Sequence, residues 1–187
     1  MRIERRLPTI RVRFPFETYI RLILDVLPPS DLIGIQEIRV VEKFSGNDSS
    51  DATLGCYYPG KNIRDGVIEI HLPNILKHVT RETTFWFRPE IATYKLSWTL
   101  CHEVGHHAHR AWRHGVKKPQ REVFAERYAQ AGAFAYLRSR SSKILSSYRW
   151  ASWNLLFSGL KGVRYWRKTG REVVEWLDAN GDGIGFP

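Results

Sequence analysis

Cysteine is almost absent: Cys56 and Cys101 are the only two in 187 residues. Two cannot build a disulfide framework, and such scarcity suits a reducing compartment. Long apolar runs are missing too, so no segment is expected to span a membrane. Residues 1–13 are basic, but the apolar stretch behind them is broken by Glu17, Arg21 and Asp25, which excludes a secretory core. A soluble, cytoplasmic protein is expected. Acid is lacking in one region: from Arg127 to Arg171 there are ten Lys or Arg and no Asp or Glu. The formal charge of +10 therefore belongs to that stretch, and the rest of the chain nets to zero. Tyr148, Trp150, Trp153 and Trp166 are interleaved with those cations. That composition suits nucleic acid, an anionic membrane surface or an acidic partner, and equally a solvated basic face beside an aromatic core.

With 43% hydrophobic residues the chain can bury a real core, which excludes disordered and collagen-like classes. One domain is expected, with a catalytic core over 14–136 and a basic, aromatic, helical region over 137–187. Phe16, Tyr19, Ile20, Ile23 and Leu27 recur at helical spacing, and Pro28-Pro29 stops the helix predicted over 14–27. Strands are predicted over 35–41, 54–58 and 67–72. The last two are joined by a Pro59-Gly60 turn, giving a small, mostly antiparallel sheet. Pro89 opens a helix predicted to reach about residue 113, and 120–138 resumes a helical pattern. Two further helices are predicted over 142–157 and 163–179. The fold class is α+β.

One long helix carries His102-Glu103-Val104-Gly105-His106. Residues four apart share a helix face, so the two imidazoles can hold one metal ion while Glu103, one step round, reaches a water on it. A hydrolytic zinc site needs three protein ligands and an open position, which calls for a third donor. Glu122 has the better spacing; His114, beside Gly115, is the alternative. Glu126, one turn after Glu122, is placed to accept the free ring N–H of His102 or His106. His107 and His109 read as accessory, His71 and His78 as ordinary polar residues, and both cysteines as small buried hydrophobes. Asp178, Asn180 and Asp182 match half a calcium loop, but the chain ends before its twelfth position, so a polar turn is expected. One Zn²⁺ ion and a protein or peptide substrate are the expected partners, with nucleic acid a candidate partner for the basic C-terminal region. Zinc would lower the pKa of a water toward ~7 while Glu103 takes its proton. His114, Tyr128, Tyr136 and Tyr148 are candidates to stabilise the oxyanion.

These residues give the chain a resemblance to the gluzincin metallopeptidases, closest in layout to the ImmA/IrrE-like peptidases and the minigluzincins. A strand pair from Gly55-Cys-Tyr-Tyr-Pro59 to Gly66-Val-Ile-Glu-Ile-His71 precedes the motif helix, and Glu122-x-x-Ala125-Glu126 follows it. The family's pattern places zinc on the first glutamate, here Glu122; this chain has Glu126 where Asn or Asp is usual. The resemblance covers about residues 52–136. It implies a zincin-like fold, endopeptidase activity, and an extended substrate added to the strand over 67–71, which would make Ile68 and Ile70 the substrate strand. SprT-like proteases, which act on DNA-bound proteins, are the competing resemblance, with His114 as third ligand. A nucleic-acid-binding protein with a non-catalytic zinc site is the alternative from another class. Metzincins are excluded, because His109 and Trp112 stand where their motif needs Gly and His.

Overall fold

The computed structural model describes residues 1–7, 15–45, 53–60, 65–82, 88–112, 118–140 and 186. The elements run β1 (Arg2–Arg6), α1 (Phe16–Leu24), a 3-10 turn (Pro29–Leu32), β2 (Ile35–Val41), β3 (Gly55–Tyr58), β4 (Gly66–His71), α2 (Leu72–Glu82), α3 (Arg88–Trp112) and α4 (Lys118–Ser139). Among the described residues no helix is long and apolar enough to cross a membrane.

The fold is α+β, but its sheet is mixed, in the order β1-β2-β4-β3. β1 with β2 and β2 with β4 are parallel; only β3 with β4 is antiparallel, so the expected mostly antiparallel sheet is corrected. The predicted strand pair exists, yet β4 inserts between β3 and β2. Hydrophobicity explains the order. Ile68 and Ile70 of β4 are fully buried and take the centre, while β1, with the sequence Arg-Ile-Glu-Arg-Arg, takes one edge.

Ile38, Val40, Ile68 and Ile70 face Ile20 and Ile23 of α1 and Leu96, Leu100 and Val104 of α3 in one hydrophobic core. Gly34 leads into β2 at φ 98°, a conformation only glycine adopts freely. α2 begins where the third predicted strand was expected to end. His71 accepts the Asn74 amide at 3.2 Å through Nδ1 and so caps the helix, and Pro73 fits its first turn.

Packing of α3 against α4 sets everything downstream. A methyl group at Gly105 would lie 2.9 Å from the Ala125 Cα and from the Tyr128 Cβ; one at Gly132 would lie 2.5 Å from the Cys101 Sγ. Cys101, Gly105 and Ala108 on one helix and Ala125, Ala129 and Gly132 on the other repeat at the same helical spacing. Close approach of the backbones is the result. Gly105→Ala and Gly132→Ala are each expected to lower stability by about 1–3 kcal/mol through overpacking, although alanine is the better helix former. Urea denaturation of each variant measures it.

Candidate metal centre

The α3–α4 seam brings three donor atoms together. His102 and His106 stand one turn apart on α3, their Nε2 atoms 3.1 Å from each other. From the fifth residue of α4, the Glu122 Oε2 lies 3.6 Å from the His102 Nε2 and 3.5 Å from the His106 Nε2. Zinc bonds of about 2.0–2.2 Å in a tetrahedron put neighbouring ligand atoms roughly 3.3 Å apart. The three sides bracket that length, so the triangle is the size of one tetrahedral face. These residues form a group that could hold a metal ion. Three electron-rich atoms converging this closely repel one another unless a proton or a cation sits between them.

His106 is suited to ligation. Burial, followed by the neighbouring His102, pushes the His106 pKa down, which keeps its ring neutral and able to ligate. On the far side of His102, the Nδ1 lies 3.5 Å from the Glu126 Oε2. A proton drawn to Nδ1 by that carboxylate leaves Nε2 as the donor atom. Glu122 and Glu126 remain half or more exposed, at 52% and 61% of their side chains, so the centre opens to solvent along α4. His102, Glu122, Val123, Glu126, Arg127 and Gln130 line the groove there.

Glu103 lies on the β3 side of α3, near enough to Glu122 to feel its charge. It is only 7% exposed and lies beneath β3, where the Tyr57 backbone N–H donates to it. Burial raises its pKa to about 8 in the ion-free protein; the Tyr57 amide opposes the rise and the Glu122 charge adds to it.

Several expectations change in the structure. β4 is not an edge: Ile68 and Ile70 sit in an interior strand between β2 and β3, so they cannot pair with a substrate. The edge beside the site is β3. Tyr128 gives its hydroxyl to the Asp31 Oδ2 at 2.8 Å, on the side of α4 turned to the 3-10 turn, and Tyr136 is buried in the core. Neither faces the triad. His114, Tyr148, the 178–183 turn and, of the basic, aromatic region over 137–187, residues 141–185 and 187 lie outside the described residues.

His107, read as accessory, is a buried latch. Its Nε2–H donates to the Ile33 carbonyl at 2.9 Å, which leaves Nδ1 to accept the Tyr57 hydroxyl at 2.9 Å. Burial lowers its pKa, in keeping with that neutral tautomer. Nothing in a single histidine beside a motif announces this role; the partners arrive from Ile33 and Tyr57, far away in sequence.

Two outcomes follow. In the ion-free protein a carboxyl pKa raised from 4.5 to about 8 contributes stability that is complete below 4.5 and is lost as pH rises through 8. Glu103→Gln removes that titration. Its stability advantage over the wild type should grow by about 1.4 kcal/mol per pH unit across the window and then level off, as read by denaturation at a series of pH values. Glu126→Ala should weaken zinc binding about 10–100-fold without unfolding the protein, measured by competition with a chromophoric chelator.

Comparison of the chain with protein-family models, with curated proteins and with solved structures returned no match.

Proposed function

We propose that this protein is a zinc-dependent endopeptidase of gluzincin type, acting on a protein or peptide substrate. The observation that carries the proposal is the triangle formed by His102, His106 and Glu122, with sides of 3.1–3.6 Å, beside a buried Glu103. Zinc held by His102, His106 and Glu122, an N/N/O donor set that suits it, would supply Lewis acidity to a peptide carbonyl and to the attacking water.

The chain's own groups do the rest. Glu126 holds the His102 tautomer. Glu103 takes a proton from water as the water oxygen bonds to the carbonyl carbon, then delivers it to the departing nitrogen as the C–N bond breaks. An extended substrate adds along β3, the edge strand beside Glu103, in place of β4.

Metal analysis by plasma emission and hydrolysis of denatured casein test the proposal together. Wild type and His114→Ala should each hold about one zinc and Glu122→Ala should lose it. Glu103→Gln should keep the zinc and lose activity by about 10²–10⁴-fold. No zinc uptake by the wild type, or full activity in Glu103→Gln, overturns the proposal. Loss of zinc in His114→Ala with retention in Glu122→Ala would move the third ligand to His114.

A further inference from the structure

Glu103 has three rotatable side-chain bonds, so its place on α3 leaves its carboxylate a wide sweep. The sheet edge narrows that sweep. A methyl group at Gly55 would lie 3.0 Å from the Glu103 Cγ, 3.0 Å from its Oε1 and 2.7 Å from the Thr99 Cγ2. Backbone conformation does not explain this glycine: Gly34 is the glycine with positive φ among the described residues, and Gly55 sits in a strand, where glycine is a poor choice. Space is what it provides.

The second contact comes from the backbone. His71 N donates to the Leu54 carbonyl at 2.8 Å, which fixes the antiparallel alternation. In the register Gly55↔Ile70, Cys56↔Glu69, Tyr57↔Ile68 and Tyr58↔Val67, Cys56 and Tyr58 then bond to β4, and Gly55 and Tyr57 turn their amides and carbonyls outward. The outward Tyr57 amide meets Glu103. Tyr57 is itself pinned to α3 through His107, whose other nitrogen is held by Ile33.

We infer that β3 is a positioning element for the general base: the missing side chain at Gly55 and the outward amide of Tyr57 together fix the Glu103 carboxylate, with the Tyr57–His107 pair holding the strand in place. The inference rests on the proposed role of Glu103. One outward donor on this edge is already occupied by Glu103, so an added peptide strand meets the Gly55 amide and carbonyl and the Tyr57 carbonyl.

Amide exchange followed by NMR on the full-length, zinc-loaded protein tests the placement without any activity. In Glu103→Ala the Tyr57 amide should lose about 10-fold or more of its protection while Cys56 and Tyr58 keep theirs. Steady-state hydrolysis of a casein-derived peptide tests the consequence. Gly55→Ala should keep its zinc and its KM but lose about 10²-fold in kcat, the cost of a displacement on the order of 1 Å. Because the added methyl also strikes Thr99, Gly55→Ala/Thr99→Ser should recover stability without recovering kcat. Unchanged Tyr57 protection in Glu103→Ala, or wild-type kcat in either Gly55 variant, overturns the inference. A wild type that cleaves no peptide, while Tyr57 protection still depends on Glu103, overturns the peptidase and leaves the placement standing.

Discussion

At Gly105 the backbones of α3 and α4 touch. The third donor atom of the candidate metal centre belongs to a different helix from the first two, so the distance between those helices sets the size of the triangle. Ala125, the residue that meets Gly105, lies three positions from Glu122 and next to Glu126. A side chain at this crossing would push away the residues that must approach His102 and His106. Small residues continue along the seam at Cys101 and Gly132, where a methyl group would collide again. Packing in a close-packed interior is stiff, so the geometry of the centre is inherited from a contact that carries no polar atom of the site.

The histidine pair was legible because helical periodicity alone puts residues 102 and 106 on one face, and Glu122 because a zinc site demands a third donor at short range. Fold class and most element positions also followed from local pattern: the strand over 35–41 has the predicted bounds, and α3 and α4 differ from the predicted helices by one or two residues at their ends. Neighbour relations between strands were not legible. Val-Ile-Glu-Ile-His alternates as though one face were wet, yet Glu69 is fully buried, taken up by the Ser45 amide at 2.8 Å and by Arg39 at 3.5 Å. That long-range satisfaction of a carboxylate lets β4 lie in the middle of the sheet. β1 was missed for the opposite reason: its Arg and Glu side chains carry no apolar alternation, and backbone pairing with β2 is what makes it a strand.

Placing an ionisable acid under the sheet edge works against folding. Glu103 is largely buried, and the Tyr57 backbone amide offsets part of the cost. Around it the structure is unusually well tied: His107 joins α3 to the loop before β2 and to Tyr57, and Tyr128 joins α4 to Asp31. Those bonds surround the acid without touching it. The cost of burying this carboxyl group is carried by satisfied neighbours, the pattern expected where a fold keeps a residue that burial alone disfavours.

The two halves of the centre also differ in their contact with solvent. Glu103 is sealed against the sheet, whereas Glu122 and Glu126 project from a helix face open to water. The Glu122 side chain has room to rotate there with the helices in place and the core intact. The water-facing side of the triad therefore belongs to a helix surface, while its other side is continuous with the core.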